Sequence, residues 1–164
     1  MKFIKEVKDS NLLEESDLKL REASRAILFD ENNLIPLLFV SKYNYHKLPG
    51  GGINKGEDKK QALFRECLEE IGCEIEVEGE VGKIIEFRAR WNLKQTSYCY
   101  FGKILSKGKS SFTKKELVQG FEVVWTTLDN AITKIENDNS DSYESGFIKQ
   151  RDLAFLVKFK EVII

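Results

Sequence analysis

The chain has 164 residues, of which 41% are hydrophobic and 32% charged, and a formal net charge of −1. That size and composition fit a single soluble domain spanning 1–164 with a real core. The near-zero charge excludes nucleic acid polymers and acidic membranes as default partners and favours a small ligand in a local site. The opening residues, MKFIKEVKDSNLLEES, break up their apolar positions with charges and lack the continuous apolar stretch of a signal peptide. No run is long enough to cross a bilayer; Leu34–Val40 and Leu153–Val157 are strand-sized or one face of a helix. Cys67, Cys73 and Cys99 are an odd set without metal-ligand spacing, each in an apolar context. Buried free thiols in a reducing cytosol are expected.

In chain order, Ala23–Phe29 reads as a strand closed by the turn-forming run Asp30–Asn33, and Leu34–Val40 as a second strand. The two are expected to form a hairpin, with Pro36 at an edge or bulge. Leu48-Pro49-Gly50-Gly51-Gly52 is expected as a loop whose bare backbone can approach a ligand closely. From Asp58 to Ile71 strong helix formers follow acidic residues in the first turn, and Gly72 is a natural terminator. Ile75–Val77, Gly82–Arg90 and Thr96–Leu105 read as strands, with a turn around Asn92 and a polar loop at Ser106–Ser111. Phe121–Trp125 is a further strand, and Thr126 or Thr127 can cap a helix over Leu128–Glu136. A polar connector, Asn137–Ser142, precedes a last helix over Phe147–Glu161 with a broad apolar face. The alternation implies an α/β fold, a mixed sheet flanked by helices.

The helix from Asp58 carries the chemistry. At about 100° per residue, Leu63, Phe64, Cys67, Leu68 and Ile71 share one arc, expected to pack on the sheet, and Glu66, Glu69 and Glu70 share another. Three carboxylates at i, i+3 and i+4 repel one another, a cost that a hard divalent cation such as Mg²⁺ or Mn²⁺ reverses. The glycine run could lend such a cation a carbonyl, or a phosphate its amides. Arg65 can reach Glu69 one turn on, and Glu57 can brace the preceding loop. The bland alternative for any glutamate-rich helix is a solvated surface face.

The wider pattern outweighs that alternative. Gly51, Glu57, Arg65, Glu66, Cys67, Glu69, Glu70, Gly72 and Cys73 resemble, without a gap, the Nudix box G-x5-E-x7-R-E-U-x-E-E-x-G-U, where U is a bulky apolar residue. Cysteine at the two U positions is the one departure. Leu48–Gly51 and the Gly120–Trp125 segment leading into a helix also sit where Nudix proteins have them. The resemblance implies a Nudix-type α/β/α sandwich and metal-dependent hydrolysis of a nucleoside diphosphate linked to a further moiety. It implies Glu66, Glu69, Glu70 and the Gly50 carbonyl as metal ligands. Glu66, Glu69, Arg65 and Glu57 are then the catalytic set, with Glu66 as ligand or general base and Glu116 or Glu122 as alternative bases from outside the box. A homodimer is compatible with it.

Substrate choice lies outside the box. The downstream proline of some ADP-ribose-cleaving relatives is missing, since Pro36 and Pro49 both precede the box and Arg88-Ala89-Arg90-Trp91 occupies that region. The tyrosine of dinucleoside polyphosphate relatives and a coenzyme A signature are also absent. What remains is a MutT-like (deoxy)nucleoside triphosphate pyrophosphohydrolase, oxidised purine nucleotides included. ADP-ribose or nucleotide sugars, or an idle nucleotide sensor, are the alternatives. Arg25, Tyr45, Lys47, Gly51 and Arg88 are the expected substrate contacts, with Tyr43, His46 and Arg90 as further candidates. Trp91 and Trp125 read as core or rim residues.

Overall fold

The computed structural model describes residues 1–9 and 17–164, so part of the charge-interrupted opening segment lies outside the described residues. Among the described residues eight strands and four α-helices follow in the order β1 (Phe3–Lys8), β2 (Lys19–Phe29), β3 (Ile35–Val40), β4 (Tyr45–Lys47), β5 (Gly50–Gly52), α1 (Lys59–Ile71), β6 (Cys73–Arg88), β7 (Leu93–Lys107), α2 (Lys114–Val118), β8 (Phe121–Thr126), α3 (Leu128–Asn137) and α4 (Tyr143–Val162).

A five-stranded mixed sheet has the order β1-β6-β7-β2-β5, and β4-β3-β8 form a smaller sheet. Pairing is parallel for β1 with β6 and for β2 with β7, and antiparallel elsewhere. Alternation along β2 divides the molecule into layers. Ala26 and Leu28 face one way, onto Leu63, Cys67 and Ile71 of α1. Ile27 faces the other way, onto Leu128 and Ile135 of α3 and Phe155 and Phe159 of α4. The expected helix–sheet–helix sandwich is therefore present, with a core on each side of the large sheet.

Several local expectations are corrected. β2 and β3 do not pair as a hairpin; they fall in different sheets. Pro36 lies beyond the reach of β4, which pairs only with Leu38–Val40, so its missing N–H interrupts no ladder on that side. The two strands read at Ile75–Val77 and Gly82–Arg90 are one, β6, which ends at Arg88 and whose register shifts at Val77/Gly79 and Glu80/Gly82 absorb the residues between them. β7 continues through Ser106 and Lys107, which were expected in the loop. β1, β4 and α2 were not anticipated; each is six residues or shorter and too brief to show a periodicity.

The glycine run is a strand rather than a loop: Gly50, Gly51 and Gly52 pair with Arg25, Ser24 and Ala23. Gly50 has φ +132°, and a Cβ there would collide with the Ser24 carbonyl, so only glycine lets β5 lie this close to β2. Helix α1 begins at a capping box in which the Asp58 carboxylate accepts from the Gln61 amide (2.8 Å) while Gln61 accepts from Asp58 (2.9 Å). The acid is thus the cap itself, and the first turn holds no acidic residue. The left-handed Gly72 ends the helix as expected. Its apolar arc is narrower than expected: Leu63, Cys67 and Ile71 are buried, whereas Phe64 and Leu68 are 43% and 54% exposed. All three cysteines are buried and free, and no helix among the described residues is long and apolar enough to cross a membrane.

Candidate active site

Glu66 and Glu70 of α1, the β5 glycines and α2 line one cleft of about 220 Å³. Helix α1 delivers the acids because its end is pinned from outside. The Ser111 amide donates to the Glu69 carbonyl (2.6 Å) and the Ser110 hydroxyl to the Glu70 carbonyl (2.7 Å), which satisfies two of the orphan acceptors of the last turn. β5 packs against the same helix so closely that a Cβ on Gly51 would overlap the Glu66 carboxylate.

Arg65 is the organising cation. Its Nε and Nη2 make a two-pronged pair with Glu57 (2.6 and 3.0 Å), Nη2 also donates to the Gly52 carbonyl (3.0 Å), and Nη1 donates to Glu66 (2.8 Å). Its reach to Glu69 is only 3.5 Å, so Glu57 and Glu66, rather than Glu69 as expected, are its main partners. Glu57 in turn accepts from the Asn54 amide (2.9 Å), bracing the loop as anticipated. The Arg65 guanidinium and that amide hold the Glu57 carboxyl at about 2, far below its ordinary value, so it stays an anion. Its ion pairs push Arg65 the opposite way.

Glu70 is the buried acid of the three, 2% exposed. One oxygen accepts from the Gly50 amide (2.9 Å) and the other lies 3.6 Å from Lys47 Nζ. These contacts do not offset burial, which pushes its carboxyl up to about 7. Glu69 is 43% exposed at its side chain and Glu66 14%. Among the described residues no three carboxylate, histidine or cysteine side chains already form a cation cage; Glu66 and Glu69 lean toward Arg65, and Glu70 toward the Gly50 amide and Lys47. The donor set nonetheless suits a hard divalent cation, because it is all oxygen and includes a buried carboxylate short of positive charge. Glu66, Glu69 and Glu70 are the residues that would hold it. The Gly50 carbonyl, the fourth expected ligand, accepts from Arg25 Nη1, leaving one lone pair to offer.

The opposite wall is basic. Arg25 and Arg88, expected as substrate contacts, line the cleft with Tyr45 and Lys47, and Arg21 joins them at the rim. Behind them runs a buried polar network. Glu86 accepts from Arg88 (2.8 Å), Gln95 (2.8 Å) and Arg151 (3.5 Å), and Gln95 accepts from Arg21. Arg151 donates to Asp152 (2.7 Å), whose other oxygen takes the Leu48 amide (2.9 Å) just ahead of β5. Sequence reading missed Arg21, Glu86, Arg151 and Asp152. The one available signal was same-face alternation: Arg21 and Arg25 lie four apart on β2, and Glu86 and Arg88 two apart on β6.

Other candidates fall outside the cleft. Arg90 belongs to the turn after β6 and lies over the Tyr143 ring (4.2 Å) instead of sharing the face of Arg88. The His46 ring pairs with Asp138 (2.8 Å) and rests on Phe39. Tyr43 caps no part of the cleft, and Glu122 is exposed elsewhere on β8. Glu116 does line the cleft, from a short helix whose capping box ties its carboxylate to the Thr113 amide (3.0 Å).

The match that decides the family covers residues 19–145, which fit the model of the NUDIX domain. The chain belongs to the Nudix family. Curated relatives of this Nudix chain include an RNA pyrophosphohydrolase of Campylobacter jejuni subsp. doylei, 40% identical over 72 residues that make up 41% of this chain and 46% of the relative. Another, from Sulfurovum sp., is 47% identical over 45 residues, 27% of this chain and 29% of the relative. The matched region thus spans less than half the length of either relative. Solved folds that resemble it include a Nudix hydrolase from Nitrosomonas europaea (TM-score 0.63, 18% identity, covering 87% of this chain and 90% of that one). A MutT protein from Methanosarcina mazei Go1 gives a TM-score of 0.62 at 18% identity, covering 88% and 96%. A UDP-X diphosphatase gives 0.59 at 17% identity, covering 87% and 64%. At these identities the likeness is one of fold.

Proposed function

We propose that this chain is a divalent-metal-dependent pyrophosphohydrolase of nucleoside 5′-triphosphates, acting in the MutT manner and reaching oxidised purine nucleotides. The observation that carries it is the pairing, in one cleft, of an acidic wall (Glu66, Glu70) with a basic wall (Arg21, Arg25, Lys47, Arg88). A polyphosphate bound through metal needs both.

The residues divide the work. Glu66, Glu69 and Glu70 hold Mg²⁺ or Mn²⁺, which when bound neutralises phosphate charge and acidifies water. Arg65, clamped by Glu57, fixes Glu66 and the β5 backbone, so the acids keep their geometry as charge moves. Lys47, Arg25 and Arg88 offset the remaining phosphate charge and orient the chain of phosphates. Glu66 or Glu116 takes the proton of the attacking water; both face the cleft.

A second reading, a 5′-triphosphate at the end of an RNA, draws support from the relatives named RNA pyrophosphohydrolase. Both readings share one chemistry, and a near-neutral chain can read a terminus without tracking a polymer. The test is pyrophosphate or phosphate release from canonical and oxidised nucleoside triphosphates, a 5′-triphosphorylated oligoribonucleotide, ADP-ribose and nucleotide sugars, with Mg²⁺, Mn²⁺ or EDTA. The reading expects metal-dependent release from triphosphates. Preference for ADP-ribose or a sugar nucleotide would overturn the substrate class, and nucleotide binding without any release would point to an idle sensor.

A further inference from the structure

The basic wall holds more cationic hydrogen-bonding capacity than the protein uses. Arg25, Arg88 and Arg151 are 5%, 2% and 0% exposed. Arg25 Nε, Arg88 Nε and Arg151 Nη2 are buried with no hydrogen-bond partner among the described residues. Orphaned donors of this kind are costly and rare, and call for a reason. Charge points the same way. Arg25 is driven down to about 10, first by burial and then by repulsion from Arg151, which outweighs the attraction of Asp152. Arg88 and Arg151 depress Arg21 likewise, after burial. Against its burial, Asp152 and Glu86 push Arg151 up instead, so burial without full compensation falls on Arg21 and Arg25, two of the guanidinium groups that line the cleft.

Arg88 shows where that anion enters. Its Nη2 is committed to buried Glu86 at 2.8 Å, but among the described residues Nη1 donates only to Glu144, at 3.4 Å. Glu144 is 46% exposed at its side chain and lies at the start of α4 on the cleft wall. A long contact to an exposed carboxylate is weak and readily exchanged. Arg25 and Glu70 meet opposite faces of the same residue: Arg25 donates to the Gly50 carbonyl and Glu70 accepts from the Gly50 amide. The basic wall thus adjoins the acidic one across a single residue.

We propose that Arg21, Arg25 and Arg88 form an anion subsite for a substrate phosphate outside the metal-held pair, with Glu144 as the displaceable stand-in on Arg88. This rests on the phosphoanhydride-hydrolase reading and narrows it. The moiety beyond the scissile anhydride carries its own dianionic phosphate, as in a triphosphate, and a neutral sugar in that place leaves the arginines unmatched.

The test is calorimetric titration of inorganic tripolyphosphate into the protein in EDTA at low salt, so that neither metal nor turnover contributes. Arg21→Gln, at the exposed rim, is expected to weaken binding about tenfold, the effect of one lost charge-assisted contact. Glu144→Gln, which frees Arg88, is expected to tighten it severalfold. Arg88→Gln is read only where circular dichroism shows the native fold. No binding of tripolyphosphate to the wild type, or affinities in Arg21→Gln and Glu144→Gln within twofold of it, would overturn the subsite. The two readings fail separately. A protein that binds tripolyphosphate through Arg21 but hydrolyses no nucleotide with Mg²⁺ would sink the activity alone. Hydrolysis with unchanged KM and affinity in both variants would sink the subsite alone.

Discussion

The two walls of the cleft solve the problem of concentrated charge in opposite ways. On the acidic wall three glutamates lie along one helix; Glu66 and Glu69, partly exposed, share the cation Arg65, which is itself held by Glu57, and buried Glu70 turns to the Gly50 amide and Lys47. On the basic wall Arg88 and Arg151 are buried and lean on Glu86 and Asp152, both 0% exposed. Burial raises Glu70 on the first wall although Lys47 and the Gly50 amide oppose it, and burial lowers Arg25 on the second although Asp152 and Glu70 oppose it, so each wall carries a charge its own partners leave incompletely compensated. Opposite deficits side by side are what a metal–polyphosphate ligand would cancel. The acidic wall is also tunable, because water screens it, whereas the basic wall is tied into the core and doubles as structure.

That contrast breaks most sharply at Glu86. Removing a buried partner leaves charges uncompensated, so Glu86→Ala is expected to cost roughly 3–5 kcal/mol of stability, read from urea unfolding. Glu57→Ala, on the exposed side, should leave the urea midpoint close to wild type while lowering kcat. If the two variants lost stability equally, the division into structural and tunable walls would be wrong.

Glu69→Gln tests the tunable wall in activity. Its kcat should fall roughly a hundred- to a thousandfold, as for loss of a group that stabilises transition-state charge, with an unchanged circular dichroism spectrum. Near-normal turnover with Mg²⁺ would remove Glu69 from the ligand set.

Glu70 sharpens the comparison through pH. Its folded value of about 7 lies above the reference of 4.5, so its favourable contribution is full below 4.5 and is lost as pH rises through 7. In EDTA the wild type should therefore lose up to roughly 3 kcal/mol relative to Glu70→Gln between pH 4.5 and pH 8. Parallel stability curves for the two proteins would mean that the buried carboxylate carries no deficit. The smallest effect belongs to the helix start: Asp58→Ala removes one half of a capping box and should cost about 1 kcal/mol of stability.

These walls also differ in how far they can be read from the sequence. The acidic one is written in 23 consecutive residues, Gly51 to Cys73, because an α-helix turns i, i+3 and i+4 into neighbours without help from the rest of the chain. Its register and terminating glycine followed from residue types, whereas Asp58 proved to be the cap rather than an acid of the first turn. The basic wall draws on residues 21, 25, 86, 88, 95, 151 and 152 from three strands and a helix. Only the sheet order β6-β7-β2 brings these together, and long-range strand order leaves no local signature. Arg25 and Arg88 could be suspected singly, but their shared environment could not. The misread hairpin has the same origin. Asp30–Asn33 is a proper turn, closed by the Asp30 carboxylate accepting from the Asn32 and Leu34 amides (both 2.9 Å). Nothing local says that the chain leaving it joins another sheet. Phe64 and Leu68 mark a further limit, since periodicity predicts an apolar stripe but not how much of it the sheet is wide enough to cover.

The central claim is that the two walls together cleave a polyphosphate with a metal's help. The most direct measurement follows the products of a nucleoside 5′-triphosphate incubated with wild type, Glu69→Gln and Arg88→Gln, with Mg²⁺ and with EDTA. The account predicts release that requires Mg²⁺, is lost in Glu69→Gln, and in folded Arg88→Gln shows a raised KM. Release that persisted in EDTA, or that ignored both substitutions, would contradict it.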